Sequence, residues 1–196
     1  MDMKADGFVT AGGKSSRMGR DKAWLELDGA TMIARVVAAL RPVTASVTII
    51  ANRPEYGRLN LPVVADTHNG IGPLEAIRTA LAHSRQPRVV LAGCDLPFVT
   101  PQLFTYLLCV DGNAQAVVPL DESGRLEPLC AIYSTAALDA VTELIANGER
   151  KVSRLFERIP TRFVAFSELH HLAGARRFFE NINSPQDYQR IIASLK

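Results

Sequence analysis

The chain alternates between short apolar runs and segments with helical spacing, and this alternation restricts the possible folds more than any other feature. Residues 7–11 and 88–92 are apolar runs of the kind that forms buried strands. Between them, residues 31–40 place their apolar side chains on one helical face, and 73–83 predicts a second helix with proline in its first turn. Strands that alternate with helices need crossover connections, so the sequence predicts an α/β fold with a mostly parallel sheet.

The same alternation continues to the end of the chain, without a repeat, a low-complexity stretch or a linker rich in proline and glycine. Further strands are expected at 46–50, 61–65, 115–119, 129–133 and 162–166, and further helices at 100–109, 135–146, 151–158 and from 185 almost to 196. A length of 196 residues fits one domain, so we expect a single domain over 1–196. In such sheets ligands bind beyond the carboxyl ends of the strands.

Composition excludes several classes of protein. A net charge of +2 is too small to indicate binding to nucleic acid or to a membrane. The three cysteines are an odd number and form no CxxC pair, which argues against a disulfide framework or a zinc site and favours a reducing compartment. No apolar run approaches the roughly 18 residues of a transmembrane helix. We therefore expect a cytoplasmic enzyme or binding protein.

The loop after the first strand is unusually rich in glycine and positive charge. Residues 10–22 read TAGGKSSRMGRDK. Glycines allow backbone N–H groups to approach a phosphate closely, and Lys14, Arg17 and Lys22 add positive charge. A Walker loop would need glycine where Phe8 stands, and a dinucleotide fingerprint would need glycine in place of Lys14. The segment therefore predicts a phosphate-binding loop of another kind.

Three other strand ends carry polar residues that could complete a nucleotide site. Asp95 follows the strand at 88–92, where its carboxylate could hold Mg²⁺ against triphosphate oxygens. Asp66 ends another strand just before Gly70 and Gly72, and it could accept a hydrogen bond from a base or a sugar hydroxyl. Asn52 follows a third strand and could also face the nucleotide. A structural role as a turn residue stays open for both aspartates.

The segment from Ala11 to Lys22 resembles the signature of molybdenum cofactor guanylyltransferases, the enzymes that make molybdopterin guanine dinucleotide. Further similarities occur in family order over nearly the whole chain, at residues 72–74, 94–97, 127–133, 148–152 and 181–185. The pair Gly12-Gly13 and the segment Asn-Ile-Asn-Ser-Pro at 181–185 are typical of the guanylyltransferases within this superfamily. Related cytidylyltransferases usually have Ala-Ala-Gly where residues 11–13 read Ala-Gly-Gly.

The resemblance implies a Rossmann-like three-layer sandwich of the nucleotidyltransferase type, with GTP as donor, Mg²⁺ as cofactor and Mo-molybdopterin as acceptor. It also implies roles for individual residues, and partners among molybdoenzymes or their chaperones. The nucleotide would contact Asp66 and the main chain of Thr10, Ala11, Gly12 and Gly13, and its triphosphate would contact Arg17 and Lys22. Asp95 would bind the metal. The pterin would lie near Asn181 and Asn183.

The expected reaction is an in-line attack by the acceptor's terminal phosphate on the α-phosphorus of GTP, with release of pyrophosphate. Arg17, Lys22 and Asp95 are the expected catalytic residues, because the task is to position phosphates and to neutralise charge. Two alternatives stay open. One is a transferase of the same fold that uses CTP or a sugar-phosphate acceptor, and the other is a nucleotide-binding module without catalysis.

Overall fold

Apolar strands between residues 5 and 164 assemble into one large sheet in the computed structural model, which describes residues 5–12, 21–66, 72–110 and 112–195. The strands are β1 (Ala5–Thr10), β2 (Glu26–Leu27), β3 (Ala30–Thr31), β4 (Val47–Ile50), β5 (Val63–Val64), β6 (Arg88–Gly93), β7 (Ala116–Pro119), β8 (Cys130–Ser134) and β9 (Thr161–Val164). The α-helices are α1 (Met32–Leu40), α2 (Pro73–His83), α3 (Pro101–Cys109), α4 (Leu138–Ala146), α5 (Ser153–Arg158), α6 (Phe166–Leu169) and α7 (Pro185–Ser194).

The large sheet has seven strands in the order β5-β4-β1-β6-β8-β7-β9. The pairs that β1 forms with β4 and β6 are parallel, as are β4 with β5 and β7 with β9. Strand β8 runs antiparallel to both of its neighbours, β6 and β7. The expected mostly parallel sheet is therefore confirmed, and the reversed β8 begins at the edge where the parallel strands end.

Helices cover both faces of this sheet, because neighbouring strand residues point to opposite sides. Val9 packs in a core with α1 and α3, whereas Phe8 packs in a second core with α2, α4 and α5. The chain thus forms the three-layer α/β sandwich that was expected. Among the described residues, no helix combines the length and the apolar character needed to cross a membrane.

The sequence analysis missed a small hairpin formed by β2 and β3. Each strand has only two residues, too few for a period of two to be visible in the sequence. The hairpin forms a third apolar cluster with the C-terminal part of the chain, in which Leu25, Leu27 and Met32 pack with Ile182 and Ile191. This cluster brings the C-terminal segment to the carboxyl edge of the sheet.

Candidate active site

The end of β1 carries the first part of the predicted phosphate loop to the carboxyl edge of the sheet. The Thr10 carbonyl accepts a hydrogen bond from the Cys94 amide at 2.9 Å, and the Ala11 amide donates to the Ile50 carbonyl at 2.9 Å. These bonds extend the sheet to Gly12, which has a φ of +87° that favours glycine. The predicted site residues Gly13 and Arg17 lie outside the described residues.

Three predicted site residues from distant parts of the chain meet at this edge. Lys22 Nζ donates a hydrogen bond to Asp95 Oδ2 at 2.9 Å and another to Asn183 Oδ1 at 2.8 Å. The Lys22 and Asp95 side chains are 19% and 25% exposed, so a ligand can reach the ion pair. Lys22 follows the phosphate loop, Asp95 follows β6 and Asn183 precedes α7. Folding thus joins the loop expected to hold the nucleotide to the segment expected to hold the acceptor.

The Asp95 carboxylate folds back over the end of β6, and Gly93 makes room for it. A Cβ atom at residue 93 would lie 2.5 Å from Asp95 Oδ1, which is closer than non-bonded atoms approach. Gly93 is also hydrogen-bonded through its amide to the Leu129 carbonyl at 2.7 Å. The position of the carboxylate therefore depends on the glycine two residues before it.

The turn after Asp95 is held by an arginine from the other side of the site. Arg35 of α1 donates from Nε to the Pro97 carbonyl at 3.1 Å and from Nη1 to the Leu27 carbonyl at 3.2 Å. Its guanidinium lies 5.6 Å from the centre of the Phe98 ring, and that of Arg177 lies 3.7 Å from the same ring. Such contacts between cations and aromatic rings stiffen the turn that presents the carboxylate.

The segment that carries both predicted asparagines is fixed to the same turn. The Ile182 amide donates to the Asp95 carbonyl at 3.2 Å, and the Ile182 side chain is fully buried. Asn183 on one side bonds to Lys22, whereas Asn181 on the other side donates from Nδ2 to the Phe179 carbonyl at 3.4 Å. Ser184 then caps α7 by accepting from the Asp187 amide at 3.1 Å.

Lys22 itself is placed by the aspartate that precedes it. Asp21 caps the short 3₁₀ helix Lys22–Trp24, because its Oδ1 accepts from the Ala23 amide at 3.1 Å. Its Oδ2 accepts from Tyr56 Oη at 2.6 Å and from Arg53 Nη1 at 3.3 Å. Sequence reasoning did not assign roles to Asp21 or Tyr56. Their proximity arises from the pairing of β1 with β4, and no local pattern reveals it.

The remaining predicted nucleotide residues follow β4 and β5 at the same edge. Asp66 lies just beyond β5, where its Oδ1 accepts from Thr79 Oγ1 of α2 at 3.3 Å. Burial raises the pKa of Asp66, and the nearby Glu75 carboxylate adds to this effect. Gly72 is the residue before α2, with a φ of +80°, and Asn52 lies just beyond β4. Asp66, Gly72 and Asn52 thus lie at the carboxyl edge of the sheet near β4 and β5, whereas Asn183 lies near the end of β6.

A further acidic side chain, Glu127, lies in the connection between β7 and β8. It is 8% exposed, and its Oε1 accepts from Arg125 Nη2 at 2.8 Å. Burial raises the pKa of Glu127, and the negative charge of Asp95 also acts in that direction. Glu127 therefore adds negative potential near Asp95, which a cation at this edge would relieve.

The donor set fits a magnesium ion that is shared with a phosphate ligand. Among the described residues, no group of three or more His, Cys, Asp or Glu side chains is arranged to hold a metal. Mg²⁺ needs only one or two protein carboxylates when phosphate and water complete its shell. Asp95 can supply one such carboxylate, so the site suits a metal that arrives with a triphosphate.

Comparison with known proteins identifies the family of the chain. The model of the MobA-like NTP transferase domain matches residues 7–163. The chain is 35% identical to the probable molybdenum cofactor guanylyltransferase of Pelotomaculum thermopropionicum, covering 94% of this chain and 90% of the relative. It is 33% identical to the protein of the same name from Carboxydothermus hydrogenoformans, covering 94% of this chain and 93% of that one.

Solved structures show the same fold. The molybdopterin-guanine dinucleotide biosynthesis protein A from Archaeoglobus fulgidus superposes with a TM-score of 0.81 at 26% identity, covering 96% of this chain and 97% of that chain. A Mycobacterium tuberculosis protein solved in complex with manganese shares the fold, with a TM-score of 0.66 at 17% identity and coverage of 97% and 99%. The family model, the relatives and the fold agree, and the chain belongs to the molybdenum cofactor guanylyltransferases, a family with the MobA-like NTP transferase domain.

Proposed function

We propose that this protein transfers GMP from GTP to the terminal phosphate of Mo-molybdopterin, giving the guanine dinucleotide and pyrophosphate. Family membership supports the reaction class, and one structural observation carries the assignment of the site. Lys22, which ends the phosphate loop, binds both the Asp95 carboxylate and the Asn183 amide oxygen. The Lys22 ammonium thus joins Asp95, on the proposed nucleotide side, to Asn183, on the proposed acceptor side.

On the nucleotide side, the loop from Thr10 to Lys22 would hold the triphosphate. Gly12 has a φ of +87°, and Gly13 and Arg17 follow it in the sequence. Asp66 would accept a hydrogen bond from the base or the ribose, with Asn52 and Gly72 beside it. These assignments rest on the strand ends and on the family resemblance.

On the acceptor side, Asn181 and Asn183 would bind the pterin. Amide side chains both donate and accept hydrogen bonds, which suits a heterocycle with both kinds of group. Their segment is anchored on the Asp95 carbonyl through Ile182 at 3.2 Å, so a bound pterin would lie close to the reacting phosphates. Proximity of this kind lowers the entropic cost of the reaction.

The chemistry needs no general base. The nucleophile is an anionic phosphate oxygen of the acceptor, which forms a bond to the α-phosphorus while the bond from that phosphorus to the pyrophosphate oxygen breaks. Negative charge develops on the pyrophosphate, where Arg17 and Lys22 would stabilise it. Mg²⁺ bound to Asp95 and to the phosphates would supply further neutralisation of charge.

We also propose that residues 1–196 form a single domain, because the described helices on both faces pack on one seven-stranded sheet. The three cysteines are free thiols, which agrees with a cytoplasmic location. The product would then pass to molybdoenzymes or to their chaperones.

A product assay tests the proposal. The protein is incubated with Mo-molybdopterin, Mg²⁺ and either GTP or CTP, and the dinucleotide is identified by mass spectrometry. We expect a guanine dinucleotide with GTP alone. A cytosine product would overturn the base assignment. Absence of both products would overturn the acceptor and favour a sugar phosphate, or a nucleotide-binding module without catalysis.

A further inference from the structure

Tyr56 lies beside Gly12 and binds Asp21, the two residues of the predicted phosphate loop that flank residues 13–20, although it is far from them in the sequence. At the first end, a methyl group added to Gly12 would lie 3.8 Å from Tyr56 Cε2, so the phenol ring packs beside the start of the loop. At the other end, Tyr56 Oη donates to Asp21 Oδ2 at 2.6 Å. One side chain therefore lies beside both Gly12 and Asp21, the described residues that precede and follow residues 13–20 in the chain.

The contact with Asp21 extends directly to Lys22. The two carboxylate oxygens of Asp21 are divided between different tasks: Oδ1 caps the 3₁₀ helix Lys22–Trp24, and Oδ2 binds Tyr56 and Arg53. Because the cap restrains the backbone where the 3₁₀ helix begins, it restrains the position from which the Lys22 side chain reaches Asp95 and Asn183. Loss of the phenol would leave the Asp21 carboxylate with fewer restraints on its position.

The surroundings of Tyr56 make this restraint rigid. The side chain is fully buried and its ring stacks on Trp24, with a distance of 5.4 Å between centroids and an angle of 28° between planes. Burial raises the pKa of the Tyr56 phenol, so the hydroxyl stays protonated and remains a donor to Asp21. A phenylalanine would fill the same space and stack on the same indole, but it would lack the donor.

We propose that Tyr56 is a positioning residue for nucleotide transfer, which acts through Asp21 to hold Lys22 in place at the end of the phosphate loop. This inference rests on the proposed function, because it assumes that Lys22 binds the triphosphate of the donor. It assigns to a buried aromatic side chain an effect on nucleotide binding and turnover that its packing alone would not produce.

The first test is a double-mutant cycle between Tyr56→Phe and Lys22→Met. We expect Tyr56→Phe alone to lower kcat/KM for GTP about tenfold, which corresponds to the loss of one hydrogen bond to a charged group. In the Lys22→Met background the same change should cost less than about twofold, because the group through which Tyr56 acts is already absent. A full tenfold loss in both backgrounds would overturn the proposal.

The matched control is Tyr188→Phe. Tyr188 also donates one phenolic hydrogen bond, to the Glu26 carbonyl at 2.8 Å, but it lies on α7 and is not among the described donors to Asp21. Its kcat/KM should stay within about twofold of the wild-type value. If Tyr188→Phe reduced kcat/KM as much as Tyr56→Phe, the loss would reflect general loosening of the fold and the proposal would fail.

A binding measurement separates this proposal from the assigned reaction. Trp24 is the only tryptophan in the chain and stacks on Tyr56, so its fluorescence can be followed during titration with GTP and Mg²⁺, with equilibrium dialysis as a second readout. We expect the Kd for GTP to rise about tenfold in Tyr56→Phe and not to rise further when Lys22→Met is already present. An unchanged Kd together with unchanged kcat/KM in Tyr56→Phe would overturn the inference.

The two assignments can fail separately. A wild-type protein that binds GTP but makes no guanine dinucleotide would overturn the acceptor assignment alone, and the Kd values would then decide the role of Tyr56. A protein that makes the dinucleotide, and whose Tyr56→Phe variant matches the wild type in kcat/KM and Kd, would overturn the role of Tyr56 alone.

Discussion

The two edges of the large sheet each hold a cluster of polar side chains around an aspartate, and the clusters differ in what binds the carboxylate. At the amino edge, Asp6 is 5% exposed and accepts four hydrogen bonds from neutral protein groups. The donors are Ser46 Oγ at 2.7 Å, Ser84 Oγ at 3.1 Å, the Arg85 amide at 2.8 Å and the Gln86 amide at 3.2 Å.

At the carboxyl edge, Asp95 is bound instead by the charged end of a long side chain, Lys22, and 25% of the Asp95 side chain is exposed. The donors to Asp6 are neutral and enclosed by the fold, whereas the Lys22 ammonium is charged and partly exposed where it is held beside Asp95. The comparison teaches that a buried carboxylate with neutral donors holds loops together. A partly exposed carboxylate paired with a cation leaves charged groups that a ligand can reach.

The sharpest way to test this contrast is Asp95→Asn, which removes the charge and keeps the shape. We expect kcat/KM to fall about 1000-fold, because the variant loses the carboxylate for the metal at the point where charge develops. The free energy of unfolding should change by less than about 1 kcal/mol, as is usual for partly exposed ion pairs. Dinucleotide formation and thermal unfolding measure the two effects.

Chelation of the divalent metal should reduce wild-type turnover at least as much as this substitution. Retention of more than a tenth of the wild-type kcat/KM by Asp95→Asn would contradict the metal assignment. It would also contradict the assignment of a catalytic role to the aspartate at the carboxyl edge.

The opposite pattern is expected for Asp6→Ala at the amino edge. Two backbone amides and two hydroxyls would lose their acceptor, so the free energy of unfolding should fall by about 3 kcal/mol. For a chain of this length, that corresponds to a decrease in Tm of roughly 6 to 12 °C. The kcat/KM of the folded protein, measured well below the new Tm, should match the wild type; a tenfold decrease would show that the two edges are not independent.

A smaller effect is expected for Asn183→Ala, which removes one of the two side chains that Lys22 binds in the part of the chain that the structure describes. If Asn183 belongs to the acceptor side, the KM for Mo-molybdopterin should rise about tenfold while the KM for GTP changes less than about twofold. Initial rates with each substrate varied in turn distinguish the two constants. An equal rise in both would place Asn183 with the nucleotide.

The smallest effect concerns pH and Asp66. Because burial raises the pKa of Asp66 in the folded protein, its carboxyl keeps its proton to a higher pH there than in the unfolded chain. Its ionisation therefore costs stability as the pH rises through the raised pKa. The ionised form is the one that can only accept hydrogen bonds, so nucleotide binding should weaken as the pH falls through the same range.

We expect the KM for GTP to rise roughly threefold across that acid range in the wild type. In Asp66→Asn the KM should be nearly independent of pH, because the titrating group is gone. The KM measured over a series of buffers checks this expectation. An Asp66→Asn protein with the wild-type pH profile would show that another group titrates.

The sequence predicted the order of the large elements well, because buried strands and amphipathic helices have distinct periods. It also predicted from the phosphate loop and the strand ends that Lys22 and Asp95 belong to one site, whereas Asn183 was added only through the family resemblance. Their actual contacts depend on the third apolar cluster, in which Ile182 docks against the hairpin. Such packing between distant segments leaves no local signal.

The role of Tyr56 was hidden for a similar reason. It lies in the 3₁₀ helix Pro54–Leu59, and nothing near it in the sequence indicates that an aspartate 35 residues earlier will accept its hydroxyl. The strand predicted at 129–133 is confirmed as β8, but its reversed direction was not predicted, since no pattern within residues 130–134 marks the direction of the strand.

That single reversed strand has a consequence for how enzymes of this shape can diversify. Because β7 ends and β8 begins at the same edge, residues 120–129 stay at the edge where we propose the active site, instead of crossing to the far side of the sheet. The half of the sheet proposed to hold the nucleotide and the half that supports this connection meet along the pairing of β6 with β8. The connection could therefore change in length or sequence while the parallel strands on the nucleotide side keep their pairing.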